Sequence, residues 1–258
     1  MALMSLAPES SEFPKEAASY LAGKVVDWGL DIFRRNVVER WSKRRAEEFF
    51  RTFAAAVVDP KPQADEIREK LDAIMADERN SETMFEAYRA VCLCKSKILG
   101  PRCIALLTAK IVAAGRYANP KEEQWGQAYE LLSDIELGEI WRYYAERFRL
   151  ARNSDKEHLL KEGLLTVIWY TDTIAQDNEI IQSPLNLFDA LGSWGPKLQQ
   201  LGMIETVSSQ IVFTPRLGSG NPFTEEKSYY RLKESILLHE ADLPYVNLVQ
   251  TAAELIGD

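Results

Sequence analysis

Apolar residues recur at steps of three and four over most of the first 170 residues, and this spacing predicts a succession of helices. The first helical stripe begins after Pro14 and continues to Val57, after which Pro60 and Pro62 end it. Its apolar positions are Leu21, Val25, Trp28, Ile32, Trp41, Phe49, Phe53 and Val57. Six further helices are predicted over residues 63–78, 80–99, 101–116, 119–132, 134–151 and 154–170.

The pattern changes after residue 180. A helix that opens at Ser183-Pro184 is expected to be interrupted near Gly192. Residues 203–207 and 210–214 then predict two short strands around Ser208-Ser209, and the last helix is expected over Pro244–Ile256. The predicted fold is mainly α, a helical bundle with a small C-terminal winged-helix-like unit that contains one short β-hairpin. The corresponding domains are residues 1–178 and 179–258.

The chain is acidic, but its charge is uneven. Of the 258 residues, 46% are apolar and 27% are charged, as is typical of a globular protein with a sizeable core. The net charge of −8 comes from residues 155–258, where 15 Asp and Glu stand against 7 Lys and Arg. An acidic surface repels phosphate backbones, so binding of nucleic acid through that part is disfavoured.

The most basic segment lies between Ala87 and Lys121, which contains no Asp or Glu. At its centre the sequence Cys-Leu-Cys-Lys-Ser-Lys-Ile-Leu-Gly-Pro-Arg predicts a helix that stops at Gly100 and another that starts at Pro101. Unpaired N–H groups at a helix start favour anions, so Lys95, Lys97 and Arg102 are the candidate anion-binding or partner-binding residues. Carboxylates of a protein partner or of the chain's own acidic C-terminal part are the favoured ligands, and a phosphate-type ligand is the alternative.

The sequence contains no recognisable catalytic or metal-binding motif. Cys92 and Cys94 are two apart on a predicted helix and so point away from each other, and no nearby His completes a zinc site with them or with Cys103. We predict buried structural thiols, no metal, no cofactor and no catalytic residues. His158 and His239 lie in unrelated charged contexts, and no Gly-x-Ser-x-Gly or phosphate-binding glycine loop is present.

The location expected from these features is the cytoplasm. An odd number of clustered cysteines is unlike a secreted disulfide framework. Residues 1–14 lack the basic and apolar regions of a signal peptide, and the longest apolar run, Cys103–Ala114, contains Lys110 and is too short to span a bilayer.

Two regions of the sequence allow more than one functional interpretation. Between Arg34 and Arg51 seven basic residues accompany three acids, a pattern of either a solvated helix face above the core or a peripheral membrane-binding helix. Pro184–Gly218 carries two cations and two acids, a balance that favours a protein-interaction module over a DNA-binding winged helix. The oligomeric state is not fixed by any of these patterns.

The organisation resembles the abortive-infection alpha family of bacterial phage-defence proteins. The likeness consists of a basic amphipathic N-terminal helix, a helical middle, the block Leu198–Glu205 of the form Leu-x-x-Leu-Gly-Met-Ile-Glu, and Phe-Thr-Pro-Arg-Leu-Gly at 213–218. It implies a role in phage defence without assigning catalytic residues. We therefore expect a non-catalytic interaction or regulatory protein with a cationic helical surface. The alternatives are a winged-helix DNA-binding regulator and a membrane-acting effector that uses the N-terminal basic helix.

Overall fold

The computed structural model describes residues 38–57, 64–153, 160–161, 163–174, 186–213 and 229–255. In chain order the elements are α1 Val38–Val57, α2 Ala64–Ala76, α3 Glu78–Leu93, α4 Leu99–Ala113, α5 Pro120–Leu131, α6 Asp134–Asn153, β1 Leu160–Lys161, β2 Leu164–Ile174, α7 Leu187–Leu191, α8 Trp194–Gln200, β3 Ile204–Phe213, β4 Tyr229–His239, a 3₁₀ turn Glu240–Asp242 and α9 Leu243–Glu254. The fold is mainly α with a small antiparallel sheet, as predicted.

The chain divides into two compact units. The helical unit comprises the chain up to Arg142 together with residues from Pro244 onward, and the sheet unit comprises Tyr143–Leu243. This arrangement differs from the predicted division between residues 178 and 179. β2 pairs with β4 and therefore belongs with the later residues, and the last part of α6, from Tyr143 onward, belongs to the same unit.

Helix starts in the helical unit follow local capping chemistry. Asp77 caps α3 by accepting a hydrogen bond from the Asn80 amide at 3.1 Å, so this helix begins at Glu78 rather than at the predicted residue 80. Asn119 forms the predicted start of α5 and shares a reciprocal capping box with Glu122. Each cap satisfies amides that the first helical turn leaves without a partner.

The aromatic face of α1 lies in the core of the helical unit. Phe49, Phe50 and Phe53 are fully buried, and α1 packs against α3 and α4. The core interpretation therefore holds for these residues of α1, and a membrane-bound form would require the three rings to leave the core. The earlier part of the stripe, from Leu21 to Ile32, lies outside the described residues.

The sheet unit departs most from the sequence-based predictions. The helix predicted over 154–170 is wrong, because residues 160–161 and 164–174 are strands, and residues 154–159 lie outside the described part. The short hairpin around Ser208-Ser209 is also wrong, because 204–213 is a single strand. The sheet order is β1-β2-β4-β3 with every pair antiparallel, so β3 pairs with β4 and not with itself.

The order of a helix followed by an antiparallel strand pair is nevertheless present. The expected break in the helix occurs at Gly192, whose φ of 78° separates α7 from α8. Gly195 allows the two short helices to approach closely, because a Cβ there would lie 2.9 Å from the Leu187 carbonyl oxygen. The connection between β3 and β4 lies outside the described residues.

Candidate functional site

The predicted basic site lies at the connection between α3 and α4. The two helices end and begin differently from the prediction, since α3 ends at Leu93 and Gly100 and Pro101 lie in the first turn of α4. Gly100 is therefore not a helix stop. A Cβ at this position would approach the Cys94 Sγ to 2.5 Å and the Tyr129 carbonyl oxygen to 2.7 Å, so close packing is what requires glycine here.

The N-terminus of α4 already binds an anion, and that anion is the carboxylate of Asp134. The amides of Lys97, Ile98 and Leu99 donate to Asp134 at 3.0, 3.3 and 2.7 Å, and the Ser96 hydroxyl donates to Asp134 as well. Burial raises the pKa of this carboxyl, but these hydrogen bonds outweigh burial and leave the pKa below its ordinary value. The expected carboxylate is thus supplied by α6 rather than by the acidic C-terminal part.

Arg102 is buried and does not belong to an exposed surface. Its guanidinium donates to Glu48 Oε2 at 2.9 Å from Nε and 2.7 Å from Nη2, and to the Ala252 carbonyl oxygen at 3.2 Å from Nη1. Arg102 therefore joins α4 to α1 and α9. Arg102 was predicted to bind an anion or a partner at a cationic surface. Its side chain is instead buried and neutralises the Glu48 carboxylate of the same chain.

Other cations of the basic segment also have carboxylate partners. Arg89 Nε donates to Glu86 at 2.9 Å on the exposed face of α3. Arg116 binds both carboxylate oxygens of Glu122, at 2.6 and 2.7 Å, and this hydrogen bonding is the main cause that lowers the pKa of Glu122. The basic segment consequently does not present its full charge to a ligand.

Lys95 and Lys97 remain at the surface and have apolar neighbours that the sequence analysis did not single out. Both lysines are exposed, as are the side chains of Leu93 (58%) and Ile135 (74%). The Lys95 amide donates to the Glu130 carbonyl oxygen at 2.9 Å, so the connection runs along the end of α5 and the start of α6. We call Leu93, Lys95, Lys97 and Ile135 the loop surface.

A signal for the two apolar residues was present in the sequence. Leu93 falls outside the α3 stripe that ends in Val91, and Ile135 falls outside the α6 stripe of Leu137, Ile140 and Tyr144. A large apolar residue outside the stripe of its helix is expected on the exposed face. The periodicity marks the residues of the core, and its exceptions mark exposed residues.

The three cysteines have structural surroundings and are unbridged. Cys94 is buried and its thiol donates to the Tyr129 carbonyl oxygen at 3.0 Å; burial raises its pKa to about 12. Burial also raises the pKa of Cys103 well above its ordinary value and that of the half-buried Cys92 to a smaller degree. These thiols are protonated at neutral pH and therefore poor nucleophiles.

The residues that the structure describes contain neither a metal-binding cluster nor a membrane-spanning helix. In that part of the chain no group of three His, Cys, Asp or Glu side chains is arranged to hold a metal ion. None of the helices that the structure describes has the length and apolar character needed to cross a bilayer. His158 lies outside the described residues, and His239 precedes the 3₁₀ turn.

The chain was also compared with known proteins. No protein-family model, curated protein or solved structure matches it. The resemblance to the abortive-infection alpha family stays a prediction that depends on sequence motifs. In the first motif, Leu198, Met203 and Ile204 are buried where α8 turns into β3. In the second, residues 214–218 lie outside the described part.

Proposed function

We propose that this protein is a non-catalytic interaction or regulatory protein that binds an acidic and apolar segment of a protein partner through the loop surface. The supporting observation is the exposure of Leu93, Lys95 and Lys97 at the connection between α3 and α4, together with that of Ile135, which follows the Asp134 that binds the amides of this connection. Exposed apolar residues beside charged ones are typical of the centre and rim of protein interfaces.

The connection is suited to binding because its backbone is already fixed. Amides of residues 95, 97, 98 and 99 all have acceptors in α5 or α6, and the Ser96 hydroxyl also bonds to α6. Binding to a fixed loop loses little conformational entropy, so more of the contact energy becomes affinity. The lysines attract an acidic partner and speed its encounter, while the apolar side chains supply area to bury.

The biological setting that we propose is regulation in bacterial phage defence within the cytoplasm. This part of the proposal derives from the resemblance in organisation and from the unbridged thiols, which suit a reducing compartment. The acidic C-terminal part of the chain is a further candidate ligand, since it carries the complementary charge.

Two other functions receive less support from the described residues. A DNA-binding winged helix needs a recognition helix that offers several polar and basic side chains, yet α8 has seven residues and buries Trp194 and Leu198. A membrane-acting effector needs the aromatic face of α1, which is part of the core.

Peptide binding tests the proposal directly. The intact protein is titrated into fluorescein-labelled peptides composed of Glu and Leu, of Lys and Leu, or of Glu and Ser, and anisotropy is recorded. We expect the Glu/Leu peptide to bind at least about tenfold more tightly than the others, equivalent to about 1.4 kcal/mol. Added salt should weaken this binding.

Variants locate the binding. Lys95→Glu/Lys97→Glu and, separately, Leu93→Ser/Ile135→Ser should each weaken Glu/Leu binding by about tenfold. The matched control is Arg44→Glu/Arg149→Glu, which makes the same change in net charge at two exposed residues on α1 and α6. An equal loss in the control, or no preference for the Glu/Leu peptide, would contradict the proposal. Tighter binding to duplex DNA or anionic vesicles than to this peptide would do so too.

A further inference from the structure

The loop surface combines residues from two distant parts of the chain. Leu93, Lys95 and Lys97 belong to the connection between α3 and α4, whereas Ile135 lies in the first turn of α6. A partner that contacts both parts binds most tightly when they are held in place beforehand, because a loose segment loses conformational entropy on binding. The affinity of this surface therefore depends on the contacts between the connection and the start of α6.

Asp134 makes these contacts with its side chain. Its Oδ2 accepts a hydrogen bond from the Lys97 amide at 3.0 Å, and its Oδ1 accepts from the amides of Ile98 and Leu99 at 3.3 and 2.7 Å. Asp134 directly precedes Ile135 in the chain. One carboxylate thus ties the backbone of Lys97 to the residue next to Ile135.

The start of α6 has a cap of its own that does not use this carboxylate. The Ser133 hydroxyl accepts from the Glu136 amide at 3.3 Å, and Glu136 Oε2 accepts from the Ser133 amide and hydroxyl at 2.9 and 3.0 Å. This reciprocal arrangement satisfies the first turn of α6. Loss of the Asp134 carboxylate should therefore release the connection and leave Ile135 in its helix.

We propose, on the basis of the proposed function, that Asp134 is a positioning residue of the loop surface, whose carboxylate holds Lys97 in the place beside Ile135 that the acidic and apolar partner segment recognises. The charge of Asp134 has the opposite effect on such a partner, because one carboxylate repels another. A positioning role and a simple charge effect consequently predict changes of opposite sign in affinity when the carboxylate is removed.

Titration of Asp134→Ala with the fluorescein-labelled Glu/Leu peptide measures this sign. Positioning predicts binding weaker by about tenfold, whereas charge alone predicts tighter binding. Asp77→Ala is the matched control, since it makes the same change in net charge and removes another helix cap. Asp77 precedes the 16-residue α3, which places it about 24 Å from the connection at 1.5 Å per residue, and its loss should leave the affinity unchanged.

Amide hydrogen exchange of the unliganded variants separates a local effect from a general loss of stability. Asp134→Ala should speed exchange at the amides of Lys97, Ile98 and Leu99, which lose their acceptor, and Asp77→Ala should not. Asp134→Asn keeps one acceptor oxygen and should give intermediate values of both exchange and peptide affinity.

The outcomes distinguish this role from the proposed function itself. If the unaltered protein prefers the Glu/Leu peptide and Asp134→Ala binds it equally or more tightly, the positioning role is overturned and the proposed function stands. Equal weakening by Asp77→Ala and Asp134→Ala also overturns the positioning role, because stability then explains both. Absence of any preference for the Glu/Leu peptide in the unaltered protein overturns the proposed function and the positioning role together.

Discussion

The helical unit and the sheet unit are each stabilised internally by a different kind of contact. In the helical unit, individual buried polar groups join distant parts of the chain, as Arg102 does with Glu48 and with the Ala252 carbonyl. In the sheet unit, long strands pair residue by residue from Leu164 to Ile174 and from Ile204 to Phe213, and the ion pair of Arg152 with Glu240 is exposed. The stability of the helical unit should therefore depend strongly on single side chains, whereas the sheet unit should tolerate more side-chain substitutions.

The largest difference is expected between two arginines. Arg102→Met removes the buried partner of the Glu48 carboxylate and leaves it the more distant and exposed Arg51, whose Nη1 lies 3.9 Å from Glu48 Oε1; breaking a buried pair typically destabilises a protein by about 3–5 kcal/mol. Arg152→Met breaks an exposed pair and should change the free energy of unfolding by about 1 kcal/mol or less. Urea unfolding at neutral pH measures both.

A double variant tests whether the buried charge of Glu48 causes this loss of stability. Because the loss in Arg102→Met comes from a stranded charge, Glu48→Leu/Arg102→Met should be more stable than Arg102→Met alone. Similar destabilisation by Arg102→Met and Arg152→Met would mean that the two units do not differ in this respect.

The next largest effect concerns two helical glycines. Gly100→Ala forces a Cβ against the Cys94 sulfur and the Tyr129 carbonyl, and we expect a loss of about 1–3 kcal/mol. Gly126→Ala places its Cβ within α5 where nothing lies within 4 Å, and it should stabilise the protein by up to about 1 kcal/mol. Opposite signs in the two unfolding free energies are the expected result, and equal signs would contradict the close packing at Gly100.

Removal of the Asp134 carboxylate should have a smaller effect that depends on pH. Asp134→Ala deprives the start of α4 of its acceptor, and loss of such a cap typically destabilises by about 0.5–2 kcal/mol. Since the pKa of Asp134 is lowered in the folded state, its stabilisation is fully present above the ordinary aspartate pKa of about 3.9 and is lost as the pH falls through the folded value.

The measurement compares urea midpoints of the unaltered protein and Asp134→Ala between neutral pH and about pH 3. The difference should be largest at neutral pH and should shrink below about pH 4. Glu139→Ala, at an exposed residue of the same helix, serves as the control and should give no such trend. A constant difference at all pH values would argue against the proposed role of the carboxylate.

The smallest effect is expected in the sheet unit, at the residues that the sequence had suggested as a turn. Ser208→Thr/Ser209→Thr introduces β-branched residues into β3 and should leave stability unchanged or raise it by at most about 1 kcal/mol. A tight turn would lose stability from the same substitutions. Thermal unfolding distinguishes the two, and a marked loss would favour a turn over the continuous strand.

The difference between the helical unit and the sheet unit also explains how much of the structure the sequence could predict. In the helical unit, stripes such as Leu137 with Ile140 and caps such as Asn119 are local signals, so element type and approximate bounds were predictable. The partners of Arg102 and the anion at the start of α4 were not, because Glu48 and Asp134 are 54 and 35 residues distant from the groups they bind.

In the sheet unit the local signals themselves were ambiguous. Residues 164–174 are mostly apolar at their start, where helical and strand spacing cannot be separated, and their β-branched and aromatic content was the better indicator. Two serines within 204–213 suggested a turn because of their composition alone. Pairing with β4, which begins sixteen residues after β3 ends, decides the outcome, and no local rule contains that information.

The return of α9 to the helical unit has a consequence for protein synthesis. The sheet unit, Tyr143–Leu243, is an insertion within the sequence of the helical unit, and it leaves the ribosome before the residues that complete the helical core. Tyr245 then supplies its carbonyl to the Tyr129 hydroxyl at 2.8 Å and stacks on Trp125, while Ala252 receives Arg102. The helical unit, whose residues are synthesised first, therefore completes its core only after the sheet unit has been synthesised.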